Sequence, residues 1–362
     1  MKNAILIIYY RKCDSASNFA CPSGTIKCKL LTKLLQSSQK GLQKCVNGGI
    51  LKLDQMQKLL CWCTDHPKER YSSMFETVEE FAEVSQLNDV EIAALKDIVA
   101  DRRLAEESRK LAEICFAPGP WDGKNPPQPE GGDFSRIRFG AAFFAAPKVP
   151  EFFAAYGFPE SVMRETMTDL KVWLRNELKH RHVCGLSFRA LEWQGHLYRG
   201  LVTRHGRLEC CSEYKYHRET LYDAAGNVLL QPGDQVIELH IPEDGPMDID
   251  ECIKSMRRME KFFAEYRKGI DWKGFLCESW LLDAQFRDML SPESNIVKFQ
   301  DLGIHYMVGE TRDSVFRIFG TPESDPDAVE NPTSLQRKTA EFIRNGGRFM
   351  EEGMFITKDI LK

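Results

Sequence analysis

The apolar residues of this 362-residue chain change their spacing once, near residue 207, and that change limits the folds open to it. Before it they recur every three or four residues, the repeat of one helix face. After it they alternate, the repeat of a half-buried strand. A helical region followed by an α+β region satisfies both patterns. At roughly 150 residues per domain, the length suits two such regions.

Within the first part, Ile50, Leu53, Met56, Leu59 and Leu60 mark one helix, and Phe75, Val78, Phe81, Ala82 and Val84 another. Asn88 followed by Glu91 reads as an N-cap with its capping-box partner, opening a helical stretch through Leu104 and Leu111 to Phe116. Nine Gly and Pro residues between Ala117 and Gly132 forbid regular structure there. A short helix over 152–156 stops at Gly157, and Pro159 begins a helix of about five turns whose face carries Met163, Met167, Leu170 and Leu178. Another helix spans 188–202, with His196 turned toward the core.

From Leu208 to Tyr222 aromatic and small residues alternate with charges, a strand long enough to bend or bulge. A turn at 223–227 and a return at 228–230 complete a hairpin, and the next strand runs over 236–241. There follow a helix over 249–266, a buried strand over 275–282 and a short helix over 283–290. Strands at 295–299, 305–308 and 315–319 come next, then a helix over 333–345 ended by Gly346 and Gly347.

The net charge of -4 hides an asymmetry: residues 1–60 carry 10 Lys/Arg against 2 Asp/Glu, and the rest 39 against 51. An acidic body argues against a nucleic-acid surface. The basic leader contains no dense run of Lys or Arg, so it reads as a poorly ordered or appended segment more than as a binding arm. No apolar run approaches the ~18–20 residues that cross a bilayer, and the run from Ala4 to Tyr10 lacks a clear cleavage site behind it, so the expected location is the cytoplasm. Six of the 12 cysteines fall in the first 63 residues. In a chain with a large core they read as reduced thiols. Cys61-x-Cys63-x2-His66 with Cys45 departs from the usual zinc knuckle spacing, and no metal is expected. His180 and His182, two apart on a helix, diverge, and read as positive charge at the helix C-terminus.

Several short motifs then follow one another in a telling order. Leu239-His240-Ile241-Pro242 closes the central strand, Ser279-Trp280-Leu281-Leu282 ends the strand after the long helix, and Ser294-Asn295-Ile296 precedes Phe299. Together they resemble a bacterial family of acyltransferase-domain proteins that join a helical N-terminal domain to a GNAT-like C-terminal domain. The resemblance covers roughly residues 70 to 360, including Tyr156-Gly157-Phe158-Pro159-Glu160, and leaves residues 1–60 outside it. It implies an α+β fold of two domains, and with the leader the chain has three parts. A basic, Cys-rich leader occupies 1–60, a helical domain with a Pro/Gly-rich loop at 117–132 occupies 61–185, and a GNAT-like mixed sheet with flanking helices occupies 186–362.

The resemblance also implies acyl transfer from acyl-CoA, as co-substrate, to a small-molecule amine, with neither nucleic acid nor membrane as partner. Such a site needs a backbone N–H to polarise the thioester, a helix N-terminus for the pyrophosphate and a base for the amine proton. Val236, Glu238 and His240 share a face of the central strand, so Glu238 and His240 are the base candidates, with Tyr306 as acid for the departing thiolate. Glu278, Ser279, Trp280 and Asn295 are the acceptor-side candidates, and Ile241 and Gly245 the cofactor-side ones. Each has a structural alternative: His240 as a strand cap, Glu238 as a solvated charge, Glu278 in an ion pair, Tyr306 as a buried core residue.

One segment departs from the family pattern. A GNAT phosphate loop is Gly-rich and basic, yet residues 243–251 carry Glu243, Asp244, Asp248, Asp250 and Glu251, with Gly245 followed by Pro246, which has no N–H to donate. That composition argues against CoA binding in the standard mode and keeps a second reading open, a non-catalytic module binding a small ligand or protein partner. Neither a phosphate-binding Gly-x4-Gly-Lys loop, a dinucleotide fingerprint nor a Gly-x-Ser-x-Gly elbow is present.

Overall fold

A computed structural model describes residues 74–115, 132–320, 329 and 331–362, and the two-residue strands Ala20–Cys21 and Gly24–Thr25, which pair with each other. The helix expected over 50–60, the Cys61, Cys63 and His66 group, nearly all of the leader and most of the 117–132 loop lie outside the described residues. The helices and large sheet described below belong to one compact unit.

Helix α1 (Val78–Ser85) and helix α2 (Asp89–Ala100) both begin on capping boxes, Thr77 with Glu80 and Asn88 with Glu91. The single helix expected from Asn88 to Phe116 is two. The Asp101 carboxylate accepts the N–H groups of Arg103 and Leu104 at 2.9 and 3.0 Å, which ends α2 and starts α3 (Arg102–Cys115). Helix α4 (Gly132–Ala145) has no counterpart in the sequence pattern, because it is buried nearly all round and shows no polar face. Its Gly140 lets α3 approach closely: a Cβ there would stand 2.3 Å from Ser108 Oγ.

Next come α5 (Val149–Ala155), α6 (Glu160–Met167), α7 (Asp169–Arg181) and α8 (Phe188–Tyr198). The five-turn helix expected after Pro159 is divided between α6 and α7. At the junction the Thr168 hydroxyl donates to Glu165 O at 2.7 Å, a local bond that competes with the helix ladder. Asp169 thereby becomes the first residue of a new helix.

Eight strands follow: β1 (Val202–His205), β2 (Leu208–Lys215), β3 (Leu221–Tyr222), β4 (Val228–Leu230), β5 (Gln235–His240), β6 (Trp272–Ser279), β7 (Ile304–Glu310) and β8 (Met350–Thr357). Six of them form one sheet in the order β1-β2-β5-β6-β8-β7, while β3 and β4 make a separate hairpin. Only the β5–β6 pair is parallel. The long strand expected to reach Tyr222 bulges between Cys211 and Tyr214 and ends at Lys215.

Helix α9 (Ile249–Tyr266) packs Cys252, Met256, Met259 and Phe263 into one core with Ile237, Leu239, Phe275, Cys277 and Met354. Fully burying each large side chain there stabilises the fold by roughly 1.5–3 kcal/mol. On the other face Val236, Leu276 and Phe355 pack with Tyr216. Glu238 and His240 share the Val236 side by the strand period.

Two expected strands are helices. Residues 295–299 lie in α11 (Asn295–Gln300), because Ser294 Oγ accepts the Val297 N–H at 3.3 Å and caps a turn. Residues 315–319 lie in α12 (Asp313–Phe319), which ends on Gly320 at φ 103°. The short helix before them is α10 (Phe286–Met289), and the last helix is α13 (Ser334–Arg344), capped by Thr333. Strand β8, absent from the sequence reading, lies between β6 and β7. The α+β class holds throughout. Among the described residues no helix is long and apolar enough to cross a membrane.

Candidate active site

The parallel ladder between β5 and β6 runs from Gln235 opposite Trp272 to Glu238 opposite Leu276 and stops there, although β5 continues to His240 and β6 to Ser279. A cavity of about 720 Å³ opens where the two strands part. Leu239, His240 and Ile241 line it from one strand, Cys277, Glu278 and Ser279 from the other. Backbone groups on the parted edges have no ladder partner in each other, so they are free to meet a ligand.

His240 stands in this cavity with Glu238 Oε2 3.5 Å from its Nε2 and the edge of Trp193 against its ring at 4.8 Å. Glu238 itself does not line the cavity. His196, from α8, does, and burial, then the charges of Arg199 and His240, lower its pKa. Its place on an apolar helix face concealed it in the sequence.

Glu278 is fixed by Arg218, which donates from Nε and Nη2 at 2.9 and 2.7 Å, and by the Tyr306 hydroxyl at 2.8 Å. Burial pushes its carboxyl up, but these donors outweigh it and hold the group below the ordinary glutamate value. Tyr306 lies outside the cavity lining, and burial beside Glu278 makes it a weaker acid than a free tyrosine. Ser279 lines the cavity while its Oγ accepts the Leu281 N–H at 3.2 Å. Trp280 lines it too, its ring set edge-on to Phe286. Asn295, the first residue of α11, is exposed and outside the lining, where its neighbour Ile296 is.

Ile241 and Gly245 lie at the mouth of the cavity, beside the N-terminus of α9. Four of the five acidic residues of that loop are engaged. Glu243 accepts from Asn176 at 3.2 Å and Arg317 at 3.3 Å, and Asp244 pairs with Arg204. Asp248 caps α9 by accepting the Glu251 N–H at 3.0 Å, and Glu251 pairs with Lys254. Arg207 donates to three loop carbonyls, those of Pro242, Gly245 and Pro246, at 2.8–2.9 Å. Lys179, on the cavity rim, is exposed and has no ion-pair partner among the described residues. The basic charge that the loop lacks in sequence is thus supplied around it by α7, the β1–β2 turn and α12.

Behind His240 lie two acids that sequence reasoning missed. Asp169, at the start of α7, and Glu209, on β2, are 2% and 1% exposed, perturb each other's ionisation, and both line the cavity. Glu209 fell on the charged side of an alternating strand and read as solvent-facing. The one available signal was Trp173, four residues after Asp169, whose Nε1 donates to Asp169 Oδ2 at 2.9 Å.

Among the described residues no group of three or more His, Cys, Asp or Glu side chains is placed to hold a metal ion. His182 caps α7 in the left-handed region at φ 57°, and His180 packs on Gly320.

Residues 190–355 match the family model of the GNAT-like C-terminal domain. Two solved structures are similar across the chain. One is an acyltransferase in complex with decanoyl-CoA and teicoplanin, 18% identical over 87% of this chain and 98% of that one, with a TM-score of 0.61. The other is an acyltransferase mutant in complex with octanoyl-CoA, with the same identity, coverage and TM-score. No curated protein matches in sequence. The parted parallel strands, the family match and the shared fold agree: residues 190–355 are similar to the GNAT-like C-terminal domain.

Proposed function

We propose that the chain is an acyl-CoA-dependent N-acyltransferase acting on a small amine. The observation that carries this reading is the end of the β5–β6 ladder at Glu238 and Leu276, with the cavity opening beyond it. A thioester laid between the parted strands brings its carbonyl to the backbone around Leu239 to Ile241, whose N–H groups can polarise it. The CoA phosphates then lie at the α9 N-terminus, with Lys179 and Arg317 on the rim. The two similar acyltransferases, which hold acyl-CoA, support the same co-substrate here.

His240 is the base. As the amine nitrogen bonds to the thioester carbon, the imidazole takes the amine proton, and it returns that proton to sulfur when the C–S bond breaks. Glu238 steadies the imidazolium from 3.5 Å. Glu278, Ser279 and Trp280 form the acceptor wall; Asn295 and Tyr306 stand back from it. Tyr306 acts through Glu278, which it orients. We place the functional division near residue 185, with the helical part closing the cavity through Asp169, Trp173 and Lys179. A cytoplasmic location suits the free thiols of Cys184, Cys210, Cys211, Cys252 and Cys277.

Calorimetry with CoA and an acyl-CoA series, followed by a thiol-release assay over a panel of amines, tests this. Saturable binding with amine-dependent thiol release is expected. Binding without release points to a non-catalytic module, and no saturable binding sinks the acyl-CoA reading altogether.

A further inference from the structure

Three neighbouring strands place Arg204, Glu209 and His240 in one row, since Arg204 pairs with Glu209 across β1 and β2, and Glu209 pairs with His240 across β2 and β5. Directly opposed residues of antiparallel strands project from the same face with Cβ atoms roughly 4.5–5.5 Å apart. Asp169 comes up to Glu209 from α7, and both side chains are buried in the wall of the same cavity. Two ionised carboxylates buried together repel, which favours one proton held between these acids.

The surroundings decide where it rests. Asp169 Oδ2 accepts from Trp173 Nε1 at 2.9 Å and Gln194 Nε2 at 3.1 Å, donors that favour its ionised form. Glu209 has less to hold a charge: its Oε1 is buried without a hydrogen-bond partner. Burial lifts Asp169 to about 6 and Glu209 well above the glutamate range. At rest, therefore, Glu209 is the acid and Asp169 the carboxylate. Arg204, Arg207 and Asp244 are the charges around the pair; Glu238 and His196 are those around His240.

We propose that Asp169 and Glu209 are positioning residues for His240, a carboxyl pair whose shared proton moves from Glu209 to Asp169 when His240 becomes charged. This rests on His240 as the base. The amine N–H bond breaks and its proton goes to the imidazole; the Glu209 O–H bond breaks and an O–H bond forms on Asp169. A carboxylate now stands in the row opposite the imidazolium. When the thiolate leaves, the imidazolium protonates sulfur and the pair's proton returns to Glu209. The pair holds a charge of one throughout; only its position changes.

Histidine NMR titration of the full chain, with the His240 signal assigned from its loss in His240→Gln, tests the coupling without any substrate. Asp169→Asn donates an amide N–H to Glu209 and leaves it ionised, so the His240 midpoint is expected to rise by about 1 pH unit. Glu209→Gln cannot ionise, and the midpoint stays or falls. Trp173→Phe removes one donor from Asp169, draws the proton toward it and gives a smaller rise; it serves if Asp169→Asn does not fold. In an acyl-transfer assay Glu209→Gln is expected to lower kcat about 10- to 100-fold with KM unchanged. Both carboxyl variants moving the midpoint the same way, or neither moving it, overturns the pair. Opposite movements in a protein without acyl transfer overturn the acyltransferase reading and leave the pair standing.

Discussion

The Tyr306 ring lies across Gly353 on the neighbouring strand, in the space that any side chain at that position would fill. A Cβ added at Gly353 would stand 2.0 Å from Tyr306 Cζ. Gly353 is paired with Tyr306 on one side and Glu278 on the other, so the bare backbone is what lets the tyrosine hydroxyl reach Glu278. Gly353→Ala is expected to cost about 1–3 kcal/mol in urea unfolding, the range for overpacking. Adding Tyr306→Leu, which clears the space, should recover part of that loss; no recovery would mean the strain lies elsewhere.

Stability should respond to pH through His205. Burial, then the nearby Arg258 cation, hold this imidazole down to about 3 from its usual 6.5. An imidazole kept neutral in the fold contributes stability above the unfolded value, and that contribution is lost as pH falls from 6.5 toward 3. Asp169 has the opposite sign: its contribution is complete below its ordinary 3.8 and is lost as pH rises through about 6. Melting temperatures between pH 4 and 8 should show that His205→Gln flattens the fall in stability below about 6.5 and leaves the values near pH 8 in place, while the Asp169 contribution runs the other way as pH rises through about 6.

The rim cations should matter for CoA more than for the fold. Lys179→Gln and Arg317→Gln, each removing one charge, are expected to weaken CoA binding about 5-fold, the worth of roughly 1 kcal/mol for one surface charge. Calorimetry at 0.05 and 0.5 M salt checks it, because the difference should shrink as salt screens the rim. Equal affinities at low salt would place the phosphates elsewhere.

The turn that makes a helix of residues 295–300 should be measurable. Ser294 Oγ holds the Val297 N–H, so Ser294→Ala is expected to cost about 1 kcal/mol, while Ser294→Asp keeps the cap and costs little. Denaturant midpoints of the two variants give the comparison.

How much of this was legible beforehand depends on whether local signals governed the outcome. Asn88 with Glu91, the helix over 249–266 and the turn at 223–227 are set by neighbouring residues, and they stand where the sequence pattern placed them. Helix α4 and strand β8 owe their place to tertiary burial, which erases the polar face that periodicity detects. In the same way Val315 and Phe319 show strand-like residues whose helix is imposed by context, with Gly320 ending it. His240 and Trp280 could be named because they sit in ordered motifs, and Glu278 because it directly precedes one. Asp169, Glu209 and His196 come from three elements joined only by folding, and their acidity is made by burial.

The insertion of β8 between β6 and β7 also sets a timetable. β6 ends at Ser279, yet the neighbour on its β8 side begins at Met350, about 70 residues later. A ribosome adding roughly 5–20 residues per second leaves that edge of the nascent sheet bare for several seconds. During that interval the wall carrying Glu278 has neither Gly353 beside it nor Tyr306 settled across it, so the cavity takes its final form only after the last strand has emerged from the exit tunnel.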